Sequence, residues 1–458
     1  MTMNRRDVLL AAAVVALKPR LVFAEEAPDG FLVLRAEPAS LALLGTDQPA
    51  TDIWSWNKAE PATILRARQG QPFKVRLINY LEEDIWFHWF GVRGPADQMT
   101  VKVEPGEQAA VDCVFTPPDA GTFWFGPLTN ASRQRDMGLY GLLVVEEAAP
   151  PDAQDVALVV DDWLVDDAGK IQGGFGDLAM AVGEGRMGNW FTLNGALKPK
   201  IKVARDRPLR LRFLNAANVR SMGLMFKGAE VAVVAHDGQP LAAAQPLGTQ
   251  PLLLAPGQRA DVLLQPGAGV VTFALDLLED VVELGYLEPA GEVPAIPPPP
   301  LFTLPQNPIA PAFDPATARA ITLTLEGGAK GGLKSARVGE EELDTRALLE
   351  RGLAWAMNGV AGTGGPPLFT AKRGEPLVLT IDNRTSFAQP LHIHGHVWRL
   401  VAQGGQPVAD APWRDTAVVP AKATVGLAFT ADNPGVWVIQ SLVAERVDSG
   451  MLASFVVE

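Results

Sequence analysis

Gln69-Gly-Gln-Pro72-Phe-Lys-Val-Arg-Leu-Ile-Asn79 is a short alternating run opened by proline and closed by asparagine. It recurs as Arg205-Asp-Arg-Pro208-Leu-Arg-Leu-Arg-Phe-Leu-Asn215 and as Arg373-Gly-Glu-Pro376-Leu-Val-Leu-Thr-Ile-Asp-Asn383. Apolar and polar residues alternate between the two fixed ends, the period of a half-buried strand. Three copies of one strand unit point to a duplicated β-module. A second element repeats between Phe115-Thr-Pro-Pro-Asp-Ala-Gly121-Thr-Phe-Trp124 and Phe429-Thr-Ala-Asp-Asn-Pro-Gly435-Val-Trp437. A third links Pro105-Gly-Glu-Gln-Ala to Pro256-Gly-Gln-Arg-Ala-Asp261.

Outward from these repeats, short Val, Leu, Ile and Phe runs broken by Gly, Pro, Asn and Asp dominate the chain, so the expected class is all-β, built of sandwiches. Helical spacing is scarce; its best short candidate is Leu343 to Ala354. The 458 residues divide into expected domains at 25–148, 153–288 and 316–458. Pro150-Pro151 marks the first joint. The second is a Pro-rich linker over 289–315, where Pro297 to Pro300 favour a stiff polyproline spacer.

Residues 1–24 read as an address. Arg5-Arg6 precede the apolar run Leu9 to Leu17, which is too short to span a bilayer, and Val22-Phe-Ala24 supplies a small-residue cleavage site. This segment resembles a bacterial twin-arginine signal, which implies export in the folded state and a periplasmic mature chain from Glu25. No membrane span is expected.

The formal charge is −13, and the first 24 residues carry Arg5, Arg6, Lys18 and Arg20 against Asp7, so the remainder is more acidic still. Nucleic acid is therefore excluded as an expected partner. The single cysteine, Cys113, lies in an alternating run and reads as a buried core thiol.

Candidate chemistry sits at fixed offsets from the repeat. Nine residues after Asn79 comes His88; nine after Asn383 comes His392; nine after Asn215 comes Leu224. The first and third modules thus place a histidine at one equivalent position. His392 and His394 share a strand face by their i, i+2 spacing, an arrangement that suits a metal and equally a pair of hydrogen-bonded core histidines. His236 falls at a turn of the middle module, where it is expected to cap.

Several segments together resemble signatures of three-domain multicopper oxidases, the laccase-like enzymes built from cupredoxin (plastocyanin-like) Greek-key sandwiches. They are Phe87-His88-Trp89-Phe90-Gly91, Gly121-Thr-Phe-Trp-Phe-Gly126-Pro-Leu128, Asp136-Met-Gly-Leu-Tyr-Gly141, Leu193-Asn-Gly195, Gln389-Pro-Leu-His392-Ile-His394-Gly-His396, Trp413-Arg-Asp-Thr416 and Gly435 to Met451. The resemblance implies an electron-accepting type 1 copper held by two histidines, a cysteine and an axial methionine, feeding a three-copper cluster that reduces dioxygen. At the corresponding type 1 positions stand Gln389, Ser441, Arg446 and Met451. At the eight cluster positions stand His88, Phe90, Gly126, Leu128, His392, His394, Gln440 and Leu442, so three of eight ligands persist. His396 matches a non-ligand position.

Without a thiolate, and with a fixed cation among the ligand positions, type 1 copper has no site. Phe90, Leu128 and Leu442 look like apolar fillings of a vacated cavity. The expected protein is therefore a degenerate, non-catalytic scaffold that binds periplasmic or cell-envelope proteins rather than a small-molecule substrate. It is similar to the copper-less, twin-arginine-exported branch of the family linked to cell division and stress protection. No cofactor is expected beyond at most one copper or zinc ion at His88, His392 and His394. That ion gives the alternative reading, a mononuclear metal protein or weak oxidoreductase.

Overall fold

The computed structural model describes residues 25–58, 63–267, 269–277, 280–292 and 302–458. The signal segment 1–24 and Pro297 to Pro300 lie outside the described residues. The architecture is nearly all-β, the two-sheet sandwiches expected of cupredoxin-type modules.

The three repeat units become strands Phe73–Asn79, Leu209–Asn215 and Glu375–Asn383. Each pairs in parallel with a preceding strand, respectively Leu32–Leu41, Gln154–Trp163 and Arg319–Gly327. Each also pairs antiparallel with a later one, respectively Gly106–Phe115, Arg259–Leu264 and Thr424–Ala431. The opposing sheet of each module repeats a second parallel pair: Thr63–Arg68 with Gly141–Glu146, Lys200–Ala204 with Val281–Ala290, and Thr370–Ala371 with Leu452–Val457. Three two-sheet modules of one topology result.

The repeat asparagine has a physical reason. Asn79, Asn215 and Asn383 are fully buried, and each Oδ1 accepts the backbone N–H two residues on, at Leu81, Ala217 and Thr385. Each Nδ2 donates to a carbonyl at the end of its own loop (Glu83, Arg220, Phe387) and to another further along the chain (Val103, Leu254, Val419). One amide thus satisfies the backbone of a loop that would otherwise bury unpaired polar groups, at about 1–3 kcal/mol each.

Cys113 is buried on Gly106–Phe115, its thiol pushed up to about 12 by burial. The helix expected over Leu343 to Ala354 is shorter than its leucines suggest. Leu343 belongs to strand Glu341–Asp344, in a hairpin with Ser335–Val338, and only Thr345–Glu350 is helical. Asp344 sets that start by accepting the Ala347 N–H, and Gly352, at φ +73°, follows its end. The 302–311 stretch is docked along its length: Leu304 is buried beside Val234 and Leu263, and Asn307 bonds Ala120 in both directions. Among the described residues no helix is long and apolar enough to cross a membrane.

One apolar core runs continuously through the first and third modules, so His88 and the 392–394 pair meet inside packed protein rather than at a rim.

Candidate metal centre and the type 1 positions

His88 projects from Ile85–Phe90, the strand after the first repeat loop, and His392 from Gln389–Ile393, the strand after the third. His394 follows two residues on. All three are buried, and one ring nitrogen from each lies within 4.8 Å of the others. His88 stacks on His394 at 3.8 Å between ring centroids. The Nε2 atoms of all three have no hydrogen-bond partner.

The opposite ring edges of His392 and His88 are anchored. His392 Nδ1 lies 3.1 Å from the Asp415 carbonyl oxygen, 3.2 Å from Thr416 Oγ1 and 3.3 Å from Asp415 Oδ1. A carbonyl and a carboxylate only accept, so Nδ1 carries the proton and Nε2 presents its lone pair. Thr100 Oγ1 lies 2.7 Å from His88 Nδ1. Burial holds His88 and His394 well below the ordinary histidine value, and the neighbouring imidazoles add to the effect. Neutral imidazoles are the metal-binding form. Three converging imidazoles suit zinc or copper with water as a further ligand. The donor set fits one ion.

It does not fit the family's three-copper cluster. Phe90 stacks flat on Trp124 at 3.8 Å and packs with Leu442 in one buried cluster. Leu128 is buried as well, and a Cβ at Gly126 would press on the Leu139 carbonyl and the Trp124 ring. Gln440 lies beside His394 with an amide in place of an imidazole.

The type 1 positions are brought together and tied to one another. Gln389 Oε1 accepts from Arg446 Nη1 at 2.9 Å and from Ser441 Oγ at 3.4 Å, while its Nε2 donates to Thr385 Oγ1. Ser441 Oγ also accepts the Val443 N–H. Met451 is buried nearby in the core. The Arg446 guanidinium is 5.1 Å from the ring centroids of both Trp355 and Phe387. Burial pulls it down to about 10, still a cation at neutral pH. Copper has no donor here beyond the Met451 thioether: the amide oxygen is occupied, the hydroxyl is engaged, and the charge has the wrong sign.

Several partners carried no sequence-level assignment. Arg259 binds Asp415 through both terminal nitrogens and donates from Nε to the Thr122 carbonyl, so one side chain links all three modules behind His392. Asp415 lay in the quoted Trp413–Thr416 segment without a role. Asp136, quoted likewise, is paired with Arg186 at 2.6 Å. Burial raises it to about 7 against the opposing Arg186, with Glu445 and Asp162 reinforcing the rise. His236 does not cap its turn: its Nδ1 has no partner, and Asp237, at φ +50°, accepts the Arg259 N–H instead. An acceptor on a residue that tolerates left-handed backbone does this better than a ring. His396 donates from Nδ1 to the His394 carbonyl and packs among Phe429, Trp437 and Phe455.

Known proteins share this fold. Multicopper oxidase family profiles match residues 42–150, 146–275 and 340–458. The multicopper oxidase MmcO of Mycobacterium tuberculosis is 26% identical over 444 residues, covering 89% of this chain and 82% of that protein. The cell division protein FtsP of Xenorhabdus nematophila is 25% identical over 443 residues, covering 90% and 86%. A crystal structure of a multi-copper oxidase from Pseudomonas thermotolerans superposes with a TM-score of 0.79 at 26% identity, covering 93% of this chain and 98% of that one. With profiles matched in all three modules and full-length relatives on both its sequence and its fold, this chain belongs to the multicopper oxidase family.

Proposed function

We propose that this protein is a periplasmic member of the family, exported folded by the twin-arginine route, that no longer transfers electrons and acts by binding other cell-envelope proteins. The observation that carries this reading is Arg446, a buried guanidinium hydrogen-bonded to Gln389 where the family places copper ligands. Oxidases are well represented among the relatives, so the reading rests on this chain's own residues. Likeness to a cell division protein supports a role in division under stress as the specific case. Elemental analysis and dioxygen uptake with phenolic and aromatic amine substrates test it. The expected result is no full copper complement and no uptake; copper-dependent turnover would overturn it. In cells lacking the protein, a His88→Ala, His392→Ala variant should still restore growth under envelope stress if metal is dispensable.

A second reading has its own support: three buried imidazoles whose Nε2 atoms find no partner. His88, His392 and His394 would hold one zinc or copper ion, which would supply Lewis acidity toward a bound water. An ion that binds only the folded chain stabilises it by about 2.7 kcal/mol at 100 times its Kd. A zinc- or copper-dependent rise in melting temperature, lost in the double histidine variant, would favour this reading; no rise in the parent would remove it.

A further inference from the structure

Helix Leu178–Val182 and the residues after it run from the second module across the face of the third. Trp355 Nε1 donates to the Ala181 carbonyl at 2.8 Å, and the Ala329 N–H to the Val182 carbonyl at 2.6 Å. Arg446 Nη2 reaches the Glu184 carbonyl at 3.4 Å. The same guanidinium donates from Nη1 to the Ala388 carbonyl at 2.7 Å and to Gln389 Oε1 at 2.9 Å. Trp355 and Phe387 meet edge to face at 5.9 Å and form an aromatic corner over which the cation lies. Its direct acceptors are all neutral oxygens, so position comes from shape and π-faces rather than from an ion pair. A planar, weakly hydrated cation suits such a corner; a compact ammonium does not.

We propose that the Trp355–Phe387 corner with its carbonyl and amide acceptors is a guanidinium-binding site filled in cis, in which Arg446 serves as a built-in structural cation. It fastens the 178–186 segment of the second module to the third, at the place where the family's fold holds copper. One tethered cation thus does the cross-linking of an ion that needs no delivery. The inference holds whether or not the chain binds other proteins, so its failure and that of the scaffold reading are separable.

The test is chemical rescue in the full chain. Arg446→Ala should lower the melting temperature by several degrees and speed amide hydrogen exchange at 178–186. Millimolar methylguanidinium should reverse both in part and saturably, methylammonium should not, and the rescue should vanish in Arg446→Ala combined with Trp355→Leu. Unchanged melting and exchange in Arg446→Ala, or equal rescue by methylammonium, would overturn the proposal. Should that variant not accumulate, Arg446→Lys decides: it keeps charge and stem, and exchange at 178–186 matching the parent would defeat the claim that a guanidinium is required.

Discussion

The Arg446 pocket and the three-histidine cluster are two buried polar regions of one fold, both at positions that the family resemblance assigns to copper ligands, and they differ in how their polar groups are satisfied. Around Arg446 the altered side chains are bonded to one another: Gln389 to the guanidinium, to Ser441 and to Thr385. Around His88, His392 and His394 the ring edges facing one another are unpaired. Buried polar groups left without partners cost about 1–3 kcal/mol each. A site remade for structure should shed most of that cost, and of the first only Arg446 Nε is left without a partner; a site kept for a ligand retains it at each ligand atom. The difference argues that the two regions have different futures, one as a strut and the other as a potential ion site.

The largest effect should come from the link behind the histidines. Asp415→Ala leaves the buried Arg259 with only the longer 3.6 Å contact to Asp237 and removes the carboxylate beside His392, and removing one partner of such a pair costs about 3–5 kcal/mol. Chemical denaturation reads it directly. A loss below about 1 kcal/mol would show that the histidine cluster does not depend on its anchoring shell.

The junction beside Arg446 gives a pH signature. Asp136 has a folded value of about 7 against an ordinary 3.8, so the folded chain holds the proton more tightly than the unfolded one. Its stabilisation is therefore full below about pH 4 and lost as pH rises through about 7. Asp136 should therefore contribute a fall in melting temperature between about pH 4 and pH 7, and Asp136→Asn should remove that contribution relative to the parent. Parent and variant with the same pH dependence over this window would contradict the buried assignment.

The smallest effect on stability is expected from Ser441→Cys, a near-isosteric buried change of about 1 kcal/mol or less. Its value is spectroscopic. Gln389 and Arg446 still block the site, so copper loading should produce no blue centre. Only the joint Gln389→His, Ser441→Cys, Arg446→His variant supplies two imidazoles and a thiolate beside Met451.

Much of this was legible in the chain. The asparagine that closes each repeat strand identifies the module, because its amide makes the same three hydrogen bonds at Asn79, Asn215 and Asn383. The shared offset from it brings His88 and His392 to equivalent strands. What could not be read are contacts made by long side chains crossing between modules. Arg259 and Asp415 are 156 residues apart, and Trp355 meets Ala181 across 174. No local period encodes such pairs. The helix at Thr345–Glu350 shows a smaller failure of the same kind: Leu343 has helical spacing to its neighbours, yet its cross-strand partner Ala336 claims it.

Visible absorption of the copper-loaded parent protein tests the central claim most directly. Intense blue colour arises from thiolate-to-copper charge transfer, and Ser441 offers none while Arg446 holds the position. The account predicts a protein without that band at any copper ratio; its appearance would show that the type 1 positions had been misassigned.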